Sequence, residues 1–285
     1  MGTFLTPIRR PTEARRMLKS WTPPQEEQMA AFDPGPPAAI AAIFDAMPDH
    51  SGQKQHFWFD WGPVFYRGRL DGSARLLCIA SDPGPTERIA SRTLVGDAGQ
   101  RVQGFLAKLG LTRSYLCLNA FPYALFPSHG PSAPALLGDA TIRAWRNGLY
   151  DAARGPAVQA IVAFGGNAQT AVEMWPGKGT TPIIRVPHPS SRNPTVLIER
   201  WRTEISNLRG GVTPDPDGDA TVPNYGTAFK AGDYSPIPRR DLPFGVPDWL
   251  GDDAWGRSAH PRHNNSVKRP SPDDRHTLIW IAPIS

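Results

Sequence analysis

Four short apolar runs punctuate the first 210 residues: Leu76–Ala80, 115–118, Ala160–Phe164 and Ile183–Val186. Each stops abruptly at a polar residue, a glycine or a proline. Runs this short and this continuous predict strands buried on both faces, as in the middle of a parallel sheet. The segments between them carry helical spacing. Val102, Phe105, Leu106 and Leu109 form an i, i+3, i+4, i+7 stripe that Gly110 ends. A helix is predicted over 136–154, and another that Asn167 would cap, running through Ala171 and Met174 to Trp175. A last one follows Asn193 and Pro194, with Leu197, Trp201, Ile205 and Leu208 inward. Upstream, Ile40, Ile43, Phe44 and Met47 share one face of a helix over 38–47. Residues 57–70 alternate as a strand or hairpin before the turn at Asp71-Gly72. Strands alternating with helices predict an α/β fold: a three-layer α/β/α sandwich around a central four-stranded parallel sheet.

After Gly211 the pattern changes. Prolines recur, no helical stripe is long, yet Tyr225, Phe229, Tyr234, Phe244, Trp249, Trp255 and Trp280 persist. A disordered tail is poorer in such rings. The expected organisation is therefore an α/β/α domain over 1–210 and a Pro-rich extended appendage over 211–285 that packs on it, ending in a strand at 277–281.

Composition narrows the class. The 285 residues suffice for a sizeable core without staples. The two cysteines, Cys78 and Cys117, lie inside apolar runs and read as buried thiols of a reducing compartment. They are too few for a four-thiolate iron–sulfur cluster. His260 and His263 have no companion cysteine, so no metal site is expected there. No run approaches a membrane span, and the basic N-terminus lacks an apolar signal core, so a cytoplasmic location with no membrane partner is expected. The net charge is +5, with 23 basic against 16 acidic residues over 1–209 and 8 against 10 over 210–285. A basic folded part is compatible with a polyanionic partner.

The strand ends carry the chemistry. Asp82 stands in Ser81-Asp82-Pro83-Gly84, directly after the first buried run, where open α/β sheets place ligands. Asn119 ends the second run and offers both a donor and an acceptor to an amide-like ring. His188 follows the fourth and can donate to an oxygen that gains charge. Gly84, Gly96, Gly99 and Gly166 allow close approach, and Ser190 and Ser191 beside Arg192 suit a phosphate. Each has a plain alternative: Asp before Pro-Gly is a common turn residue, Asn119 could close its strand, and a histidine before proline is often structural. The order of the set raises its weight.

That order resembles the uracil-DNA glycosylase superfamily. Ala80-Ser81-Asp82-Pro83-Gly84 is similar to its motif A, and the stretch VPHPSSRNP over 186–194 to its motif B. LVGDAGQRVQGFLAKLGL followed by YLCLNAF resembles the glycine loop, helix and strand ending in a base-reading Asn. AIVAFGGNAQTAV resembles the strand and small-residue helix before motif B. The resemblance spans 76–208 and is to a member without an iron–sulfur cluster, here with an extra C-terminal extension.

The resemblance implies a role for each residue. Asp82 would orient the attacking water and stabilise a cationic sugar, and His188 would hold the O2 of the departing base. Ser81, Gly84, Leu94 and Asn119 would surround the base, with Asn119 bonding it. Ser190, Ser191, Arg192 and Asn193 would meet DNA, with Arg192 filling the gap left by a flipped nucleotide. Water is the nucleophile, so no cofactor is implied, and DNA is the implied partner with no obligate protein partner. Departures from the pattern are Ala80 for Gly, Ser81 for Gln or Glu, Gly84 where one branch has Tyr, Leu94 for a stacking Phe, and Ser191 for Pro. They leave uracil and a C5-modified pyrimidine, such as a bulky cytosine of phage DNA, both open as the excised base. A DNA-binding protein without catalysis, and a hydrolase of free nucleosides, are the alternatives.

Overall fold

The computed structural model describes residues 31–246, 250–251, 267–268 and 279–280. The pair His260 and His263 lies outside them. Helix α1 is Ala38–Asp45, followed by β1 (Phe57–Trp58), β2 (Tyr66–Gly68) and β3 (Leu76–Ala80). Helices α2 (Pro85–Ala90) and α3 (Asp97–Lys108) lead to β4 (Tyr115–Asn119) and the short β5 (Ala124–Leu125). Then come α4 (Ala133–Gly138), α5 (Ala140–Ala153), β6 (Ala160–Phe164), α6 (Gly166–Glu173), β7 (Ile183–Val186) and α7 (Pro194–Leu208).

The central sheet has five strands in the order β2-β4-β3-β6-β7. Four are parallel, and β2 joins the free edge of β4 antiparallel. The sheet is therefore mixed, with one strand more than the apolar runs predict. Residues 57–70 do not form one element. Gly62, at a positive φ, and Pro63 break the alternation. Phe57–Trp58 pairs with Ala124–Leu125, away from the main sheet, while Tyr66–Gly68 enters it.

Alternation along β3 explains the layers. Leu76, Cys78 and Ala80 face one side with Phe105, Leu106, Trp201 and Ile205 of α3 and α7. Leu77 and Ile79 face the other with Tyr150, Val172 and Trp175. All five residues of β3 are buried, as are those of β4 and β6. Edge strand β7 is more open, with Arg185 exposed. The predicted helix over 136–154 is two helices. Gly138-Asp139 interrupts it, and the Asp139 carboxylate accepts from the Thr141 and Ile142 amides to start α5. Cys78 and Cys117 are buried and free, on paired strands in register.

Among the described residues after Gly211, several between 212 and 241 pack against the sheet and its helices. Val212 and Tyr225 are buried in the α3–α7 face. Asp215 receives the Thr112, Arg113 and Ser114 amides at 2.8, 2.8 and 3.0 Å, closing the start of β4. Burial works against its charge, but these hydrogen bonds outweigh it and hold the Asp215 carboxyl at about 2. Asp241 is fully buried. It accepts from Arg67 at 3.1 Å and Tyr115 Oη at 2.7 Å, and also pairs with Arg69. At the far end, Ile279–Trp280 pairs antiparallel with Val267–Lys268.

Candidate active site

The chain leaves β3 toward β4 on one side, and β6, on the other side of β3, leads on to β7. The carboxyl ends of β3 and β6 thus flank the point where the winding reverses, the usual ligand crevice of such sheets. Ala80 pairs with Asn119, so Asp82 and Asn119 leave adjacent strands at one level. The pairing continues past the strands: the Ala120 amide donates to Ala80 O and the Phe121 amide to Ser81 O, both at 2.9 Å.

Asp82 is half-buried, and its Oδ2 accepts from the Leu125 amide at 3.0 Å. This explains the short β1–β5 pair, which carries that amide to the strand tip. Burial pushes the Asp82 carboxyl above the ordinary carboxylate range. Hydrogen bonds from the Ser81 side chain and the Leu125 amide oppose the rise, the Glu87 carboxylate adds to it, and the Arg88 guanidinium opposes it.

Asn119 is 8% exposed, and its Nδ2 is buried with no hydrogen-bond partner among the described residues. Its own carbonyl is fixed by Tyr150 Oη at 3.0 Å. A buried amide donor left unpaired costs about 1–3 kcal/mol, so Asn119 Nδ2 is free to bond a ligand at this strand end.

His188 leaves β7 behind the turn of β6. A Cβ on Gly165 would lie 2.9 Å from His188 Cβ, so only glycine lets the ring approach, and Gly165 has φ +87°. The Ser190 amide donates to His188 Nδ1 at 3.1 Å. Nδ1 is therefore the acceptor, and the ring proton sits on Nε2. Burial lowers the imidazole pKa to about 4, so His188 is neutral at pH 7 and presents Nε2–H as a donor.

The turn after β6 joins the two halves. Asn167 does not cap α6, as the sequence predicts; the helix begins at Gly166 and Gly165 takes the cap position. The Asn167 side chain instead donates to Ser81 Oγ at 2.9 Å, beside Asp82. Ser81, Asp82, Asn119 and His188 thus stand at the same end of the sheet, linked through Asn167 and Gly165.

The other expected residues are placed as follows. Leu94 is 5% exposed, packed in the α3–α7 core, with φ +53°. That left-handed backbone is unusual for leucine; its carbonyl lies against Gly99, where a Cβ would come within 1.8 Å. Gly84 is half-buried, and a Cβ there would lie 2.6 Å from Glu87 Oε2. Ser190, Arg192 and Asn193 are exposed and Ser191 is half-buried. Ser191 Oγ accepts from the Asn193 amide at 3.3 Å, and Asn193 Oδ1 caps α7 through the Val196 amide at 3.1 Å. A cleft of about 600 Å³ is lined by Gly166, Gln169, Arg185, His188, Ser191 and Arg200 among others. It takes in His188 but neither Asp82 nor Asn119.

Two neighbours escaped the sequence reading. Glu87 Oε1 accepts from the Val95 and Gly96 amides at 2.9 and 2.8 Å, tying the glycine loop to the turn after β3. An acid three residues after Gly84, in the first turn of a helix, was the available signal. Asn167 had none, because the cap role expected of it explained it already. Among the described residues no cluster of three or more His, Cys, Asp or Glu side chains could hold a metal, and no helix is long and apolar enough to cross a membrane.

A comparison with curated proteins finds no match. Residues 67–204 match the family model for the uracil DNA glycosylase superfamily, and this stretch runs from β2 into α7, across the carboxyl ends of β3, β4, β6 and β7. The chain therefore carries a uracil DNA glycosylase superfamily domain.

Proposed function

We propose that the protein is a monofunctional DNA glycosylase that hydrolyses the N-glycosidic bond of a flipped-out pyrimidine and leaves an abasic site. The family match supports a glycosylase-type function acting on DNA. The observation that carries the finer reading is the pair of donors at one end of the sheet: neutral His188, with its proton on Nε2, and the unpartnered Asn119 Nδ2. Two fixed donors suit a base that leaves as an anion. The Asp82 carboxylate supplies the negative charge that complements the cationic sugar left behind.

In this mechanism the base is extruded at a cost of a few kcal/mol, roughly, and Arg192 fills the gap while Ser190 and Ser191 hold phosphate. The C1′–N bond breaks and its electron pair stays on the base, whose O2 is held by His188 Nε2–H and whose edge is held by Asn119. The Asp82 carboxylate stabilises the cationic sugar and orients water, which adds to C1′ and gives up a proton to that carboxylate. Arg185 and Arg200 line the cleft beside His188, paired with Glu173 and Glu204 at 2.7 and 2.8 Å, and would exchange these partners for phosphate on binding DNA. Asn193 is occupied as a helix cap, so its part is to fix the loop that carries Arg192.

Uracil is the family's own substrate. A C5-substituted pyrimidine is the second reading, favoured by the lack of an aromatic ring at both Gly84 and Leu94. The test is abasic-site formation on labelled oligonucleotides carrying uracil, hypoxanthine, 5-hydroxymethylcytosine or glucosylated cytosine, followed by alkali cleavage. A cut at uracil or at a modified cytosine, abolished in the Asp82→Asn, His188→Ala double variant, supports the proposal. Salt-dependent binding with no cut on any substrate would instead assign the protein to DNA binding without catalysis.

A further inference from the structure

We infer that residues 229–241, in the C-terminal segment, hold the His188 loop in its working geometry through Arg101, which acts as a positioning residue. This rests on the assignment of His188 made above.

The link is a single peptide unit. The Pro189 carbonyl accepts from Arg101 Nη1 at 2.6 Å. The amide of that same peptide, on Ser190, donates to His188 Nδ1 at 3.1 Å. The peptide is planar. A cation bonded to its oxygen therefore sets the direction of its N–H and so the ring nitrogen that must accept. Arg101 thereby fixes the His188 tautomer that exposes Nε2–H, without touching the ring.

Arg101 is itself held by the C-terminal segment. Its Nε donates to Tyr234 Oη at 2.8 Å, and its guanidinium lies 4.7 Å from the Phe229 ring centre and 5.3 Å from that of Tyr234. The segment lies directly on α3: a Cβ on Gly104 would come within 2.0 Å of Asp233 O. The Lys108–Asp233 ion pair, buried at 2.8 Å, and the Ser235 amide on Gln100 O at 3.1 Å fix its register. Asp241, locked to Arg67, anchors its end. Phe229, Tyr234 and Asp241 all lie outside the stretch that matches the family.

The test compares the full-length protein with Arg101→Gln, Arg101→Lys, Tyr234→Phe and, as a control at the opposite end of the sheet, Asp215→Asn. Ring ¹⁵N shifts of His188 report its tautomer. Single-turnover base release and DNA affinity separate chemistry from binding. Arg101→Gln is expected to populate the Nδ1–H tautomer and to slow base release by about tenfold or more, with DNA affinity changed far less. Tyr234→Phe should show a smaller effect of the same kind, and Arg101→Lys should restore part of the rate. Asp215→Asn should lower the melting temperature and leave the ¹⁵N pattern intact. An unchanged tautomer in Arg101→Gln, or the same tautomer shift in Asp215→Asn, would overturn the inference. If the wild-type protein releases no base, the proposed function fails, while the ¹⁵N comparison still decides the role of Arg101.

Discussion

Asn167 and Ser81, on the turns that leave β6 and β3, are joined by a side-chain hydrogen bond of 2.9 Å. It spans the place where the winding of the sheet reverses, and it ends beside Asp82. The bond makes the crevice between the two strands a braced site, with the turn that supports His188 on one side and the carboxylate on the other. Asn167→Ala leaves Ser81 Oγ without this donor, at a cost of about 1 kcal/mol. Base release should slow by about tenfold as Asp82 loses support. Thermal unfolding and single-turnover kinetics read the two effects separately.

Asp82 is the group whose charge the proposed chemistry needs, and the fold resists that charge. Its carboxyl titrates above the ordinary value of 3.8. The acid limb of the pH–rate profile should therefore lie above that value, with activity lost as pH falls through it. The folded state holds this proton more tightly than the unfolded one, so stability falls as pH rises through the same window. Asp82→Asn should thus lose about 100-fold or more in base release and gain stability at pH 7. A variant both inactive and less stable at pH 7 would contradict this.

His188 acts in the opposite sense. Its folded pKa is about 4 against an ordinary value of 6.5. Between those values the unfolded state binds more protons, so stability rises with pH from about 4 to 6.5 and is lost on acidification. The contribution is at most about 3–4 kcal/mol, the value for the full shift. His188→Gln should flatten this part of the profile, read as urea midpoints at pH 4.5 and 7.

Asn119 carries an unpaired buried donor that the folded protein gains nothing from in the absence of ligand. Asn119→Ala should leave the melting temperature unchanged or raise it, and cut base release by about 10²-fold or more. A large stability loss with activity retained would show that the carboxamide serves the fold.

Asp241 neutralises two arginines in a fully buried place. Asp241→Asn leaves Arg67 without a counter-charge and should cost about 3–5 kcal/mol. Chemical denaturation measures it. A loss under 1 kcal/mol would mean that Gln103 and the Thr93 carbonyl, which also accept from Arg67, suffice.

The apolar runs disclosed the layered fold because burial on both faces demands continuous hydrophobic sequence. Leu76–Ala80 and Ala160–Phe164 could hardly be anything else. That Tyr66–Gly68, within the strand or hairpin expected over 57–70, joins the central sheet was obscured because it has only three residues, one of them Arg67, whose charge is neutralised by Asp241, a residue 174 positions away. A buried arginine with a distant partner looks in sequence like an exposed one. Asn167 misled for a related reason: a residue before a helical pattern satisfies the cap rule, and only the approach of Ser81 shows where its side chain goes.

The sequence alone determined the four parallel strands, most helices, the polar residues at the strand ends and the resemblance to one superfamily. All of these rest on neighbours within a few positions, where periodicity, turn residues and motif spacing act. Tertiary structure decided what depends on distant groups meeting. It set the tautomer of His188 through a peptide gripped by Arg101. It raised the Asp82 pKa through burial. It laid the segment after Gly211 across α3, where Tyr234 and Asp233 find partners more than a hundred residues earlier. Side-chain charge, protonation and direction are properties of the surroundings, and the surroundings exist only once the chain has folded.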